Sequence, residues 1–331
     1  MSVILLTGAN GMIGSHILLH LLQCGDTVIA GIRKHANTDA CKQVFKSQHC
    51  NHLFNTIKWQ EIDLQNTNAI ESVLNTYQVS CVIHASGKVS FNRLDSVELW
   101  NSHVIQTRNL INACIDKPIR FIHLSSLAVF QGETVSPIDE HCNWNPSIKT
   151  SVYAQCKYEA ELEVWRGSAE GLEVLILNPG VVLAPDYKGT GSNSIFLKLK
   201  TTTRFYTSGS TAYISAKDLS KIVRVFIYNT VCNERFICIE RNITYQSLMH
   251  IARMMLKRNE TAIAVSKPVL QLVWVCSTLF AFILGRKTQF TQSILHALTH
   301  KKNYSNDKLK KHLPFALEPI PEVIEQGLKN L

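Results

Sequence analysis

Near its amino end the chain reads Val3-Ile4-Leu5-Leu6-Thr7-Gly8-Ala9-Asn10-Gly11-Met12-Ile13-Gly14, an aliphatic run that enters a glycine-rich turn. Apolar residues then recur at helical spacing, at positions 13, 17, 18, 21 and 22. A strand, a glycine turn and a helix in this order can hold a dinucleotide pyrophosphate, because the turn lets the backbone approach and the helix N-terminus directs unpaired N–H groups at the anion. The glycine spacing differs from Gly-x-Gly-x-x-Gly, so the context supports this interpretation more than the motif does. The predicted contacts are Gly8, Asn10, Gly11, Met12, Ile13 and Gly14.

Apolar runs alternate with helical patterns over the first half of the chain, which is typical of a parallel sheet with helices on both faces. Further strands are predicted at Thr27–Ile32, 57–61, Cys81–His84, Arg120–Leu124 and 172–177, and helices at 153–166, Ala216–Tyr228 and 245–257. We predict an α/β fold, a Rossmann-type doubly wound parallel sheet. Residues 1–180 would form the NADP(H)-binding domain, with a returning segment near 211–240, and residues 181–331 would form mainly a smaller C-terminal substrate lobe.

Composition limits the classes of partner. The formal net charge is +9, which suits an anionic cofactor, an anionic substrate or a membrane surface. The sequence has no nucleic-acid motif and no basic stripe interleaved with aromatic residues, so we expect no nucleic-acid partner. Ten cysteines without a Cys-x-x-Cys pair, and no signal peptide, favour reduced thiols in a cytoplasmic protein. No set of ligands has zinc-site spacing, so we predict no metal site.

The end of the second predicted strand bears on the choice of cofactor. A free ribose 2′-hydroxyl is usually held by an acidic residue at this point. Here the strand ends in Arg33 and Lys34, with no carboxylate before Asp39. Two cations favour a 2′-phosphate and hence NADP(H) over NAD(H); the alternative is a solvated charge pair in a loop.

Other candidate residues lie just past the ends of the predicted strands, where ligands of an open parallel sheet bind. They are Asp63, Leu64, Ala85, Ser86, Gly87, Ser126, Asn178, Pro179, Gly180 and Val181. The Ser126 hydroxyl could donate a hydrogen bond to a substrate carbonyl on which negative charge develops. Alternatively, Ser125 and Ser126 only cap the loop.

Tyr153 and Lys157 are four residues apart on a predicted helix, which places a phenol and an ammonium on one face. A nearby cation stabilises a phenolate, lowers its pKa and makes tyrosine usable as a general acid or base. The same spacing recurs at Tyr213/Lys217 and Tyr304/Lys308. Only the first pair follows a strand that ends in serines, so this context selects Tyr153 and Lys157.

In their order and spacing these pieces resemble the extended short-chain dehydrogenase/reductase family. The matching pieces are 7–14, 63–64, 84–91, Asn101, 124–130, Tyr153 with Lys157, and 178–182. Val89-Ser90-Phe91 and the basic end of the second strand are most similar to the branch of dihydroflavonol reductases and 3β-hydroxysteroid dehydrogenases. Sugar-nucleotide epimerases and dehydratases share the same core, so an epimerase or dehydratase is the alternative activity.

The resemblance implies hydride transfer between NADPH and a carbonyl of a small molecule. Tyr153 would protonate the oxygen and Ser126 would orient it. Lys157 would bind the nicotinamide ribose and keep the Tyr153 pKa low, with Asn101 supporting Lys157 through water. A catalytically silent dinucleotide-binding regulator is the alternative from another class, and retention of the three catalytic residues argues against it.

The resemblance also implies roles around the cofactor and an oligomeric state. Asp63 and Leu64 would border the adenine, and residues 85–87 would line the cleft. The expected oligomer is a homodimer formed through the helices that bear Asn101 and Tyr153. Asn178 departs from the arginine common before Pro-Gly, which weakens the case for a nucleotide-sugar substrate.

Residues 269–285 carry no charge, and Arg286 and Lys287 follow them. This run is shorter than the roughly 20 residues that span a bilayer. One interpretation is a helix of the substrate lobe, buried around the pocket or in a dimer, and the polar Gln271, Ser277 and Thr278 favour it. The other is peripheral membrane contact through 269–287, with a basic flank and a lipid-like substrate.

Overall fold

The computed structural model describes residues 2–90, 92–130, 137–148, 150–187, 194–201, 204–259, 261–283 and 290–330. Its strands are β1 (Val3–Thr7), β2 (Thr27–Ile32), β3 (Lys58–Glu61), β4 (Cys81–His84), β5 (Arg120–Leu124), β6 (Glu173–Pro179), β7 (Val181–Leu183), β8 (Phe205–Tyr206), β9 (Ser210–Ser215), β10 (Glu234–Cys238), β11 (Arg241–Thr244) and β12 (Ile263–Ala264). Phe91 and residues 284–287, which the sequence analysis used, lie outside the described residues.

Helices connect most of these strands. They are α1 (Met12–Gln23), α2 (Asp39–Ser47), α3 (Asn51–Phe54), α4 (Thr67–Thr76), α5 (Ser96–Trp100), α6 (Gln106–Cys114), α7 (Val152–Ala169), α8 (Ser194–Thr201), α9 (Ala216–Tyr228), α10 (Tyr245–Met255), α11 (Lys267–Ile283), α12 (Gln292–Thr299), α13 (Asp307–Lys310) and α14 (Ile320–Lys329). A π-helical segment, Asn101–Ile105, joins α5 to α6. Short 3₁₀ turns lie at Arg93–Asp95 and Leu127–Val129.

Seven strands form a parallel sheet in the order β3-β2-β1-β4-β5-β6-β10. β1 pairs with β2 on one side and with β4 on the other, so the strand order reverses at β1. A crevice opens at such a reversal, beyond the carboxyl ends of the strands, and ligands bind there. The predicted Rossmann-type α/β fold is confirmed. The late strand β10 extends the sheet beyond β6.

Helices cover both faces of the sheet because both faces are apolar. α1, α2 and α9 pack on one face around a cluster that includes Phe45 and Phe226. α4, α6 and α7 pack on the other face around Leu110 and Phe121. Each of these side chains is fully buried, and burial of one such side chain contributes roughly 1.5–3 kcal/mol.

The segments after β6 build a smaller body beside the carboxyl edge of the sheet. β7 pairs in parallel with β9, and β11 pairs antiparallel with β9. β8 and β12 form a separate two-stranded sheet. α8, α10 and α14 enclose an apolar cluster of their own, with Phe196, Leu248 and Val323 at its centre.

Helix α11 is not buried within the lobe, which is one of the two arrangements that the interpretation preferred from the sequence allows; its burial in a dimer stays a prediction. Leu270 is buried at 8 % exposure, but Leu272 and Phe280 are each 65 % exposed. The reason is that α11 packs against α12 along one narrow side only, which leaves its remaining circumference in solvent. Among the described residues, no helix combines the length and the apolar character that crossing a membrane requires.

Candidate active site

The glycine turn brings three backbone segments into close contact. Gly8 has a φ of +69°, and a Cβ there would lie 2.8 Å from the Cα of Ser86. A Cβ on Gly14 would lie 2.1 Å from the carbonyl oxygen of Gly8. Because neither position has room for a side chain, the backbone itself lines the crevice.

Helix α1 begins directly after this turn. Gly11 occupies the N-cap position and no side chain caps the helix, so the N–H groups of the first turn keep their capacity to bind an anion. Met12 and Ile13 form that first turn. The Asn10 amide donates to the carbonyl of Asn37 at 2.9 Å, which ties the turn to the loop after β2. The turn therefore fits a pyrophosphate.

Basic residues of the loop after β2 lie beside a carboxylate from β3. Arg33 and Lys34 are exposed there, as the sequence predicts. The backbone N–H of His35 donates to Glu61 Oε1 at 3.4 Å. Sequence reasoning missed Glu61 because it ends β3, and only the pairing of Ile32 with Glu61 brings its carboxylate to this loop.

Two further segments border the crevice. The Ser86 hydroxyl donates to Gln106 Oε1 at 3.4 Å, and a Cβ on Gly87 would lie 2.5 Å from the His103 ring. This tight packing holds residues 85–87 against the helical segment that follows α5. On the far side of β1, Leu64 is buried and its carbonyl accepts a hydrogen bond from Asn109 at 3.1 Å, while Asp63 is exposed.

Ser126 and Tyr153 lie together past the carboxyl end of β5. Ser126 caps the 3₁₀ turn, since its Oγ accepts from the N–H of Ala128 at 3.2 Å. Tyr153 is 9 % exposed and its ring meets His103 edge to face at 5.6 Å. Burial raises the pKa of Tyr153, and its hydrogen bond with Ser126 opposes that rise. The phenol therefore keeps its proton at neutral pH, as a general acid must.

Lys157 lies one turn beyond Tyr153 and is 5 % exposed. Its Nζ donates to the carbonyl of Leu124 at 2.8 Å. Burial lowers the pKa of Lys157 to about 8, against the favourable influence of Glu161. The prediction that the ammonium keeps the Tyr153 pKa below its ordinary value is wrong for the free protein, because burial of the phenol dominates.

The sequence analysis missed a buried polar network beneath Lys157. Glu161 is 2 % exposed and accepts a hydrogen bond from the Asn178 amide at 2.6 Å. Arg235 Nη1 lies 3.8 Å from Glu161 Oε2, and Arg235 Nε donates to the carbonyl of Glu140 at 2.8 Å. The only signal in the sequence was the spacing of four residues between Lys157 and Glu161.

Residues 178–181 form the passage from the main sheet into the smaller body. The side chain of Asn178 is fully buried and turned to Glu161 and to the carbonyl of Ser126, so it supports the site from within. Pro179 ends β6 and Val181 begins β7. Gly180 lies against β9, where a Cβ would come 2.5 Å from the carbonyl oxygen of Ala212.

Three buried histidines, also missed, lie near Lys157, and one of them contacts Tyr153. Burial, and secondly the Lys157 charge, lowers the pKa of His84 and of His103 to about 3, and that of His123 well below its ordinary value. His84 Nδ1 lies 2.8 Å from the Thr7 hydroxyl, and His103 Nε2 donates to the carbonyl of Lys88 at 2.7 Å. All three rings are neutral at physiological pH, so they add no charge beside the ammonium.

Asn101 begins the π-helical segment, which packs against α7. Such segments widen a helix by one residue and are frequent at functional sites. The segment also carries His103, whose ring contacts Tyr153. The structure thus brings the helix of Asn101 next to the helix of Tyr153 and Lys157.

We expect the pH dependence of catalytic activity to depend on Glu161. Loss of its negative charge in Glu161→Gln removes an interaction that favours the Lys157 ammonium, so the pKa of Lys157 falls below about 8. We expect the alkaline limb of kcat/KM to move to lower pH by roughly one pH unit. Measured pH–rate profiles test this. Glu163→Gln, which removes a surface partner of Arg166 on the same helix, is the control and should leave the limb in place.

A profile of the NAD dependent epimerase/dehydratase family matches residues 4–207. The chain belongs to this family. The match begins in β1 and includes the glycine turn, Ser126, Tyr153 and Lys157. A nicotinamide dinucleotide is accordingly the cofactor that the crevice is built to hold.

Named relatives of the family differ in activity. The chain is 28 % identical to a UDP-glucose 4-epimerase of Halalkalibacterium halodurans over 178 residues, which cover 53 % of the chain and 49 % of the relative. It is 27 % identical to cinnamoyl-CoA reductase 1 of Petunia hybrida over 256 residues, 72 % of each protein. The chain thus spans about half the length of the epimerase. The crystal structure of a Thermus thermophilus UDP-glucose 4-epimerase with NAD shares the fold, with a TM-score of 0.71, 17 % identity and coverage of 99 % and 98 %.

Proposed function

We propose that the protein is an NADP(H)-dependent oxidoreductase that interconverts a carbonyl and a secondary alcohol on a small or lipid-like substrate. The observation that carries this proposal is the convergence of Ser126, Tyr153 and Lys157 at the carboxyl end of β5, beside the glycine turn of β1. A binding protein has no need of a buried phenol hydrogen-bonded to a serine. An oxidoreductase uses that pair to supply a proton.

The cofactor, when bound, supplies or accepts the hydride at the carbon of the carbonyl or alcohol. In the direction of reduction, the Tyr153 hydroxyl gives its proton to the carbonyl oxygen as that oxygen gains negative charge. Ser126 donates a hydrogen bond to the same oxygen and stabilises the charge. Lys157 holds the ribose hydroxyls and faces the phenolate that the proton transfer leaves. Asn101 supports Lys157 through a water molecule. Glu161 and Asn178 keep the helix of Lys157 in place.

The preference for NADP(H) is assigned to Arg33 and Lys34. An Arg contact to a 2′-phosphate is a charge-assisted hydrogen bond, which NAD(H) cannot make. For Arg33→Ala we expect KM for NADPH to rise roughly tenfold, the equivalent of about 1.4 kcal/mol, and KM for NADH to change little. Steady-state kinetics with both cofactors test this. Lys58→Ala, an exposed cation at the opposite end of β3, is the control. Because the Glu61 carboxylate lies beside this loop, a wild-type preference for NADH would assign the ribose contact to Glu61 instead.

Thermal shifts with NADPH and with NADH, followed by a panel of carbonyl compounds and nucleotide sugars, test the activity itself. Consumption of NADPH with a carbonyl substrate supports the reductase. An epimerase is the second candidate, because UDP-glucose 4-epimerases are among the relatives. An epimerase would retain its dinucleotide through purification and show no net consumption of it.

We also propose that the protein is a homodimer in which two helices pair with their counterparts: α5, continued by the π-helical segment that bears Asn101, and α7, which bears Tyr153. These helices bear exposed apolar side chains: Val97 is 72 % exposed, Leu162 43 % and Trp100 41 %. Burial of such side chains against a second copy would stabilise the pair of helices that carry the catalytic residues.

A further inference from the structure

Helix α11 presents an apolar surface to solvent. At 3.6 residues per turn, Leu270, Trp274 and Ser277 lie on the side that faces the protein. The rest of the circumference carries Val269, Leu272, Val273, Val275, Leu279 and Phe280, each 49–65 % exposed, and we call these six side chains the α11 face. Apolar side chains gathered on one exposed face mark an interaction site.

The sequence segment that contains α11 carries charge of one sign. From Thr261 to Asn306 the sequence contains no Asp or Glu. Its basic residues are Lys267, Arg286, Lys287, Lys301 and Lys302. Burial lowers the pKa of His296 of α12, and nearby His300, Lys302 and Lys267 lower it further, so both lysines lie near α12. Cations therefore gather where α11 meets α12.

We propose that the α11 face lies in the surface of a membrane that contains anionic lipids, with the apolar side chains at the acyl boundary and the neighbouring lysines at the headgroups. An apolar face with basic neighbours is the pattern of an interfacial helix. Anionic headgroups attract such cations within a Debye length.

The packing of α11 favours a helix that lies on the membrane. The 17 residues of α11 that the structure describes, at about 1.5 Å per residue, cover less than the roughly 30 Å hydrocarbon core. The side of the helix that bears Leu270 is already packed on the protein. Only the α11 face is available to lipid, so the helix enters by one side.

A second copy of the chain suits this surface less well. A twofold contact places the same patch of both subunits together. The cationic neighbours of the α11 face would then approach one another with no carboxylate between residues 261 and 306 to offset them. An anionic membrane removes this conflict, since it supplies the opposite charge over the whole patch.

Vesicle co-sedimentation of the full chain tests the proposal. We expect binding to vesicles that contain phosphatidylglycerol, weaker binding to pure phosphatidylcholine, and release by salt. Leu272→Asn with Leu279→Asn should lower the partition coefficient by at least about tenfold, because two exposed apolar contacts with lipid are lost. Lys267→Gln with Lys301→Gln should abolish the preference for phosphatidylglycerol.

The control is Leu197→Asn with Met254→Asn, which removes two side chains, 57 % and 67 % exposed, that lie outside the α11 face and outside the proposed dimer contact. This variant should bind vesicles like the wild type. Thermal shifts with NADPH establish that every variant is folded, and the assay needs no substrate, so its outcome is separate from that of the proposed function. Failure of the wild type to bind, equal binding to both vesicle types, or a lipid-free dimer that Leu272→Asn with Leu279→Asn turns into a monomer would each overturn the proposal.

Discussion

Tyr153→Phe is expected to lower kcat for carbonyl reduction by roughly 10²–10⁴-fold, because it removes the proton donor and leaves the cofactor crevice intact. The phenyl ring retains the edge contact with His103, so the fold should be unaffected. The measurement is single-turnover oxidation of NADPH, with the NADPH-induced thermal shift recorded in parallel. We expect the shift to match that of the wild type while the rate collapses.

Tyr158→Phe is the matched control for this substitution. Tyr158 lies on the same helix and stacks on Trp144 at 4.5 Å, a contact that phenylalanine preserves. Its activity should equal that of the wild type. Full activity in Tyr153→Phe would show that another group supplies the proton and would remove Tyr153 from the proposed mechanism.

Gly14→Ala should affect cofactor binding and stability together. The added Cβ would lie 2.1 Å from the carbonyl oxygen of Gly8, and both atoms belong to backbone that cannot move independently. Overpacking of this kind costs roughly 1–3 kcal/mol or more. Relief of the clash must separate β1 from α1, which moves the N–H groups of the first turn away from the pyrophosphate. Denaturant unfolding and the NADPH thermal shift measure the two effects.

Gly25→Ala separates this steric effect from backbone strain. Gly25 has a φ of +80°, but a Cβ there would have no atom within 4 Å. The substitution should cost roughly 1–2 kcal/mol of stability, from conformation alone. It should leave NADPH binding unchanged. If Gly14→Ala behaved like Gly25→Ala, the close approach of α1 to β1 would have no role in holding the cofactor.

Much of the main sheet was predictable from local patterns. β2, β4 and β5 have the predicted bounds, and the glycine turn lies where the sequence placed it. Strands buried on both faces are continuous apolar runs, and turns require particular residues, so both signals are local. Ser126 was predicted from its place at a strand end, where a parallel sheet binds its ligands, and Tyr153 and Lys157 from their spacing on the following helix; their catalytic roles stay predictions.

The supports of the site were not predictable, because their partners are far apart in the sequence. The Asn178 amide donates a hydrogen bond to Glu161, and Arg235 donates one to the carbonyl of Glu140. Glu61 accepts a hydrogen bond from the backbone N–H of His35 only after the strands pair. The sequence does not show whether the side chain of a charged residue is buried. The sign of the Tyr153 pKa shift was therefore decided by tertiary packing.

Helix α11 shows the same difference between what the sequence determines and what the tertiary structure determines. By itself the sequence determined that residues near 269 form an apolar segment, since hydropathy is a property of each side chain. It equally determined the parallel α/β sheet and the dinucleotide turn. Only the tertiary structure decided which apolar surfaces find a partner within the chain, because burial depends on which elements meet. Helices pack on both faces of the sheet, whereas α11 is packed along a single side.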